Sequence, residues 1–235
     1  MTMNSLADNT TSFRRLDYIK ITVFGFALTA LWNSLHSIIL PLRLLDFVDE
    51  SMKNAYLGFL TFAGLVLAML VQPISGTVSD RSSFRWGRRR PFILFGTIAA
   101  ILFLPGISLA ESFIVLFIFY CLLQISTNAA QGPFQAFIPD HVPEKKRGLA
   151  SGVKSLMEII GGITVVRLVG YFMSRYSPGQ GVTWLWLALG TLASVLLAIM
   201  LATVFTVREK PVSTGDRINI MSTIVRSFKI DVKAK

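Results

Sequence analysis

The sequence predicts an all-α membrane protein with six transmembrane helices. Hydrophobic residues make up 53% of the 235-residue chain and charged residues only 15%, and the mean hydropathy is +0.60. A soluble domain of this size needs more charge to cover its surface. Apolar runs of about eighteen or more residues recur along the chain, and each is long enough to cross ~30 Å of hydrocarbon as a helix.

The apolar runs divide the chain into three regions. A cytoplasmic tail of residues 1–18 precedes a six-helix domain of residues 19–206, and a basic cytoplasmic tail of residues 207–235 follows. The first eighteen residues have no apolar core and no small-residue cleavage site, which favours a tail over a signal peptide. The predicted spans are 19–45, 54–78, 91–110, 113–137, 151–174 and 182–206.

Basic residues are concentrated at one end of the predicted bundle. Eighteen of the 23 lysines and arginines lie before or at the start of span one, between spans two and three, between spans four and five, or after span six. Such an excess is typical of cytoplasmic loops, so we expect both termini of this plasma (inner) membrane protein in the cytoplasm. The net charge of +10 therefore reflects topology, and no nucleic-acid partner is expected. Residues 207–235 form either an amphipathic helix on the anionic leaflet or a linker.

Polar side chains inside the spans are the candidates for a binding site. Polar groups are costly in a bilayer unless they face the bundle interior or a wet cavity. In span four, spacings of four, three and four place four amides on one helical stripe. The stripe faces either a ligand or water, or else it only bonds neighbouring helices. Its members are Gln124, Asn128, Gln131 and Gln135.

Spans one and five add further candidates. Asn33 and His36 share a helical rhythm in span one, and His36 is either an inert interior histidine or a titrating group. In span five, Glu158 lies one turn beyond Lys154, which permits an ion pair. Arg167 has no acid facing it from its own span, so its partner is either another helix or an anionic ligand group.

Motifs of enzymes and metal sites are missing from the sequence. The patterns GxSxG, HExxH and GxxxxGK[ST] do not occur. The single cysteine, Cys121, lies inside an apolar run and offers neither a disulfide nor a thiolate metal site. We therefore expect neither an enzyme, nor a metal centre, nor a bound cofactor.

The link between spans two and three carries a dense group of charges. It reads GTVSDRSSFRWGRRRP, from Gly76 to Pro91, and resembles the signature of the major facilitator superfamily. Five residues separate the two parts of the motif, where the general pattern has one. That expanded form is similar to the branch of sucrose transporters and glycoside/pentoside/hexuronide:cation symporters. The matching residues are Gly76, Asp80, Arg81, Gly87, Arg88 and Arg89.

A second segment supports the same branch. NAAQGPFQAFIPDHVPEKKRG, from Asn128 to Gly148, is similar to the sucrose-transporter segment that ends span four. Gln124 stands where those transporters have an aspartate associated with proton coupling, and Gln135 stands where they have an arginine. Glu158 and His36 are titratable groups that could take over such a role. The matching residues are Asn128, Gln131, Gly132, Pro133, Ala136 and Asp140.

The resemblance implies half of a twelve-helix major facilitator fold, with a substrate site at mid-membrane between two halves. It implies secondary active transport of a sugar or glycoside by alternating access, with H+ or Na+ as the coupling cation. The substrate-lining residues are then expected to be Asn33, His36, Gln124, Asn128, Gln131, Gln135, Glu158 and Arg167.

The resemblance also assigns the motif residues and Asp140 to a cytoplasmic latch between the halves. Gly76 is expected to permit close helix approach, and Asp80 to accept hydrogen bonds from arginines or from a facing helix. The arginines either hold the loop against the anionic leaflet within such a latch or serve topology alone.

Six spans leave the second half of such a fold unaccounted for. We expect a truncated or partial product whose partner is a C-terminal half. The alternatives are a half-transporter that pairs with a second copy, and a non-transporting membrane scaffold or assembly subunit.

Overall fold

The computed structural model has six long helices, which confirms the predicted fold class. It describes residues 15–82, 84, 86–179, 181–207 and 209, so the predicted tails lie almost entirely outside the described residues. This part of the chain contains no strand. The helices, each long and apolar enough to cross a membrane, are α1 Arg15–Leu44, α2 Lys53–Asp80, α3 Arg90–Leu109, α4 Phe113–His141, α5 Glu144–Met173 and α6 Thr183–Thr206.

Helix α1 contains a π-helical turn in front of a proline. Its α-helical parts are Arg15–Thr22, Phe24–Ser34 and Leu40–Leu44, and the π turn is Leu35–Ile39. The Leu40 N–H bonds to the Leu35 carbonyl, one residue further back than in an α-helix. Pro41 lacks an N–H and its ring would clash with a regular preceding turn, which the wider turn avoids. His36 lies within this irregular turn.

The other helices are regular over most of their length. Helix α3 is broken by Pro105 and α4 has a short break at Ala136. The Ser112 hydroxyl caps α4 by accepting a hydrogen bond from the Val115 N–H at 3.4 Å. The component segments are Arg90–Phe103 and Gly106–Leu109 in α3, Phe113–Gln135 and Phe137–His141 in α4, and Glu144–Lys146 and Arg147–Met173 in α5.

The helices pack in a definite arrangement. Helix α1 packs mainly on α5, α4 packs on both α2 and α3, and α6 contacts α1, α3 and α5. Gly96 lets α3 approach α4 closely, since a Cβ there would lie 2.8 Å from the Ser126 backbone oxygen. The end of the bundle at which α1, α3 and α5 begin carries the basic links, and we call it the basic end.

Two helices are much less buried than the others. Only 11% of the span in α2 and 22% of that in α5 is buried, against 39% to 56% in the other four. Large apolar side chains such as Phe62 and Met69 on α2 and Ile163 on α5 are exposed. In a membrane protein these faces contact lipid or another helix bundle.

A buried arginine holds the end opposite the basic end together. Arg43 of α1 is 6% exposed and donates hydrogen bonds to the Ile107 carbonyl at 3.1 Å, the Ser108 carbonyl at 3.2 Å and the Ala110 carbonyl. It also forms an ion pair with Asp46. This clamp, made by Arg43 and Asp46, joins α1 to the end of α3 and to the link that follows it.

The Asp46 carboxylate extends the clamp to the link between α5 and α6. It accepts hydrogen bonds from the Tyr176 hydroxyl and, at 3.0 Å, from the Gly179 N–H. Burial, and then the hydrogen bond to Asp46, raises the pKa of the Tyr176 hydroxyl to about 12. Tyr176 therefore remains a protonated donor at any physiological pH.

Replacement of Gly96 tests the close contact between α3 and α4. We expect Gly96→Ala to lower the free energy of unfolding by about 1–3 kcal/mol, because the new Cβ meets backbone atoms that cannot move aside. Gly190→Ala in α6 is the matched control, since a Cβ there meets nothing within 4 Å. Thermal unfolding in detergent measures both, and equal stability of the two variants would contradict this packing.

Removal of the Arg43 guanidinium tests the clamp. We expect Arg43→Met to destabilise the bundle by about 3–5 kcal/mol, because it leaves Asp46 buried without a counter-charge. Arg175→Met is the control: the Arg175 guanidinium only lies over the Tyr171 and Trp184 rings, at 4.1 and 5.0 Å. Its loss is expected to cost about 1 kcal/mol or less. Similar melting temperatures for the two variants would rule out the clamp.

Candidate functional site

Polar residues of α1, α4 and α5 meet around a small cavity of about 140 Å³. Four of the predicted substrate-lining residues line it: Asn33, Gln131, Gln135 and Glu158. The structure adds Trp32, Phe134 and Lys154 to them, together with Leu28 and Thr29. The cavity lies where the polar faces of the three helices converge, so we take it as the candidate binding site.

Charged and aromatic groups face each other in this cavity. The Lys154 Nζ lies 3.5 Å from the Glu158 Oε1, which confirms that these residues pair. The same ammonium group lies 5.7 Å from the centre of the Phe134 ring. Glu158 also lies against α1 at Gly25, where a Cβ would come within 3.1 Å of its carboxylate. The site thus offers donors, acceptors and ring faces to a ligand.

Two of the four amides on the α4 stripe lie away from the cavity. Gln124 and Asn128 are buried and bond to each other, and Asn128 also bonds to α2. The Asn128 Nδ2 donates to the Gln124 Oε1 at 2.8 Å, and the Gln72 Nε2 donates to the Asn128 Oδ1 at 2.6 Å. The Gln135 Nε2 donates to the Gln72 Oε1 at 3.3 Å. The stripe therefore bonds α4 to α2 and also forms part of the cavity wall.

A tyrosine connects this amide chain to His36. The Gln124 Nε2 donates to the Tyr120 hydroxyl at 2.8 Å, and the His36 Nε2 lies 3.0 Å from the same oxygen. The imidazole stacks on Trp32, with ring centres 5.1 Å apart. His36 itself does not line the cavity but is joined to Gln135 through the chain.

Glycines make room for the amide chain. A Cβ on Gly132 would overlap the Gln72 backbone oxygen and the Ser75 hydroxyl, and one on Gly64 would overlap Gln124 and Tyr120. Gly132, the glycine of the QGP segment, thus permits the close approach of α2 to α4. Gly76 does not do so within this bundle, contrary to expectation, because a Cβ there meets nothing within 4 Å.

Arg167 stands apart from the other predicted substrate-lining residues. Its side chain is exposed on α5 and does not line the cavity. No acid among the described residues lies within ion-pair distance of its guanidinium. The bundle therefore supplies no partner for Arg167 from the part of the chain that the structure describes.

At the basic end, arginines bind the ends of three helices. Arg89, only 3% exposed, places Nη2 2.6 Å from the Asp80 Oδ1 and Nε 2.6 Å from the Asp140 Oδ2. Arg88 Nη2 lies 2.6 Å from the same Asp140 oxygen, and Arg89 Nη1 donates to the Ser79 hydroxyl at 3.3 Å. This arginine cluster, made by Asp80, Arg88, Arg89 and Asp140, ties α2, α3 and α4 together.

The other motif residues lie beside this cluster. Gly87 has a φ of +112°, which favours glycine, and a Cβ there would overlap Glu209. Glu209 accepts a hydrogen bond from the Arg89 backbone N–H at 2.9 Å and so joins the segment after α6 to the cluster. Arg81 is exposed and forms no ion pair among the residues that the structure describes.

The sequence-based set missed several residues of the site. Tyr120 lies four residues before Gln124 and therefore on the same helical stripe, a spacing that could have identified it. Gln72 precedes a proline inside a membrane helix, which is a weaker signal. Trp32 and Phe134 carry no such signal, since aromatic residues in apolar spans are as common in the core as in binding sites.

Comparison with known proteins identifies the family. A family model described as MFS/sugar transport protein matches residues 22–222. The sucrose transport protein SUC3 of Arabidopsis thaliana is 31% identical over 133 residues, which are 47% of this chain and 22% of the relative. The sucrose transport protein SUT2 of Oryza sativa subsp. indica is 31% identical over 159 residues, 57% of this chain and 30% of the relative.

A human protein is also similar to the chain. Solute carrier family 45 member 4 of Homo sapiens is 27% identical over 174 residues, which are 66% of this chain and 21% of that protein. The chain thus spans less than a third of the length of these curated relatives.

The family match and the fold agree with each other. The matched range contains the charged motif between α2 and α3, the QGP segment and all six helices except the start of α1. The similarity to sucrose transport proteins confirms the resemblance drawn from these two motifs. The protein is an integral membrane protein, and the chain belongs to the MFS/sugar transport protein family, in the branch that includes the sucrose transport proteins.

Proposed function

We propose that this chain forms one half of a secondary active transporter that moves a sugar or glycoside with H+ or Na+ by alternating access. The observation that carries the proposal is the cavity between α1, α4 and α5, where Trp32 and Phe134 lie beside Asn33, Gln131 and an ion pair. Sugars present both hydroxyl groups and apolar ring faces. Amides and charges bind the hydroxyls, while aromatic rings cover the apolar faces.

The small size of the cavity supports the proposal that a second helix bundle completes its wall. At about 140 Å³ it is well below the roughly 300–1,000 Å³ of typical ligand pockets, so one bundle encloses only part of a disaccharide. The sparsely buried helices α2 and α5 leave faces on which a second bundle can pack. We propose that a C-terminal half or a second copy of this chain supplies that bundle.

The arginine cluster is proposed to be part of a latch at the cytoplasmic side. The Asp80 side chain is 50% exposed although it is bound to Arg89, so it lies at the rim of the cluster and within reach of a facing bundle. Arg89 keeps Asp140 as a second partner whenever Asp80 moves away. Asp80 can therefore exchange partners during alternating access without leaving a buried arginine unpaired.

Uptake into liposomes tests the transport function. The assembled transporter, meaning this chain with its second bundle, is expected to take up labelled sucrose or another glycoside when a pH or sodium gradient is applied. Trp32→Ala is expected to weaken the apparent affinity about tenfold, because loss of an aromatic contact costs about 1–1.5 kcal/mol. Trp184→Ala, outside the cavity, is the control. Absence of uptake for every glycoside tried would refute the sugar substrate.

Charge removal at the rim of the cluster tests the latch. Asp80→Asn is expected to slow transport several-fold while membrane insertion and the amount of protein stay normal, because the amide no longer pairs with Arg89. Lys145→Gln at the same end is the control, since Lys145 is exposed and forms no ion pair among the described residues. Normal transport rates in Asp80→Asn would show that the cluster serves the fold alone.

A further inference from the structure

The hydrogen bonds between α4 and α2 form a chain in which every amide donates in the same direction. The Gln135 amide donates to Gln72, Gln72 to Asn128, Asn128 to Gln124, and Gln124 to the Tyr120 hydroxyl. Each of the three inner amides uses both its nitrogen and its oxygen. Such a chain has two self-consistent directions, because turning every amide round restores all the bonds with donors and acceptors exchanged.

A hydrogen bond from the Asn128 side chain to the backbone favours one of these two directions. Its Nδ2 also donates to the backbone oxygen of Gln124 at 2.7 Å. If the amide turned round, its own oxygen would face that carbonyl oxygen, and the two would repel each other. The direction that ends at Tyr120 is therefore the one of lower energy.

This direction determines which nitrogen of His36 carries the proton. The Tyr120 oxygen accepts from Gln124, so its single proton is left for the His36 Nε2 at 3.0 Å. A nitrogen that accepts carries no hydrogen, so the neutral imidazole has its hydrogen on Nδ1. Protonation would place a second N–H on Nε2, pointing at the Tyr120 hydroxyl. The bond can then persist only if Tyr120 turns its proton away from His36.

No other ionisable group competes for His36 among the described residues. Helix α6 carries no charged side chain at all, and the titratable groups of α3 and most of those of α2 lie at the helix ends. Glu158 contacts α1 at Gly25, about 16 Å along the helix axis from His36, and is paired with Lys154. The ionisable groups on α1 and the elements packed against it, besides His36, are Arg15, Asp17, Tyr18, Lys20, Arg43, Lys53, Tyr56, Asp80, Arg90, Tyr120, Cys121, Asp140, His141, Glu144, Lys145, Lys146, Arg147, Lys154, Glu158, Arg167 and Tyr171. Tyr120 alone of these hydrogen-bonds to the imidazole.

We infer that His36 is the proton-binding residue of this transporter and that Tyr120 is its positioning residue. The inference rests on the proposed transport function. A proton from water binds the half-buried imidazole at Nε2, and the Tyr120 hydroxyl changes from donor to acceptor towards His36. The amides keep their direction: the Tyr120 oxygen then accepts from both His36 and Gln124, which weakens its bond to Gln124. Because hydrogen bonds in a chain polarise one another, the weakening passes through Asn128 and Gln72 to Gln135, which lines the solute cavity.

Coupling between proton binding at His36 and solute binding in the cavity works in both directions. If a proton on His36 changes the affinity of the cavity for solute by some factor, then bound solute changes the affinity of His36 for the proton by the same factor. A solute that bonds to the Gln135 amide draws that donor away from Gln72 and so loosens the chain at its far end. The two sites thus share one hydrogen-bonded element.

The tautomer of His36 can be measured without transport. The chain has two histidines, so a His141→Asn background leaves His36 as the only reporter for 15N NMR of the full chain in lipid nanodiscs. Neutral His36 is expected to carry its hydrogen on Nδ1, and Tyr120→Phe is expected to move it to Nε2, the commoner tautomer in water. Tyr171→Phe, remote from the imidazole, is the control. An Nε2–H tautomer in the unmodified chain overturns the inference.

Transport by the assembled protein provides the second test. His36→Gln is expected to lower accumulation driven by a pH gradient at least about tenfold, while labelled solute still exchanges with unlabelled solute across the membrane. Tyr171→Phe is expected to leave both unchanged. Unaltered pH-driven accumulation in His36→Gln, or loss of exchange together with accumulation, overturns the inference.

The outcome for the unmodified protein separates this inference from the proposed function. Accumulation under a sodium gradient but not under a pH gradient overturns the role of His36 and leaves the transport function standing. Absence of both accumulation and exchange refutes the transport function, and the inference, which rests on it, is overturned with it.

Discussion

The hydrogen bond between Gln72 and Asn128, 2.6 Å long, joins α2 to the buried stripe of α4, and the polar interior depends on it. A polar group inside a bilayer has no water to bond to, so each buried amide must find its partner within the protein. Gly132 lets the two helices come close enough for this bond. Once Gln72 and Asn128 are paired, Gln124 and Gln135 have partners at either side, and the chain extends from Tyr120 to the cavity.

Two buried arginines close the bundle at its ends by different means. Arg43 is held mostly by backbone carbonyls and has one carboxylate, so it joins loops in a single geometry. Arg89 is held by two carboxylates, one of which is half exposed. An arginine with a spare partner can release one carboxylate at little cost, whereas Arg43 cannot. The difference agrees with a rigid end opposite the basic end and a basic end that can rearrange.

Residue spacing within a single helix was sufficient to predict some contacts of the site but not others. Lys154 and Glu158 pair because residues four apart meet on any α-helix, whatever surrounds them. The four amides of α4 share a stripe for the same reason, but Gln124 and Asn128 lie away from the cavity, whereas Gln131 and Gln135 line it and Gln135 also bonds to α2. The position of a residue around its own helix does not determine which neighbouring helix or cavity its side chain contacts. The predicted role of Arg167 rested on the lack of a facing acid in its own span; its side chain is exposed on α5 and does not line this cavity, so that role stays a prediction.

By itself the sequence determined the six membrane helices and the helical stripe of amides, and its charged motif indicated the family. These features depend on the apolar length and on residue spacing within one helix. Only the tertiary structure decided that Gln72 and Tyr120 complete the chain, that His36 lies at its end and that Trp32 faces the cavity. Such contacts join residues up to 84 positions apart in the chain, and they are set by the crossing of one helix over another, which no single-helix pattern contains.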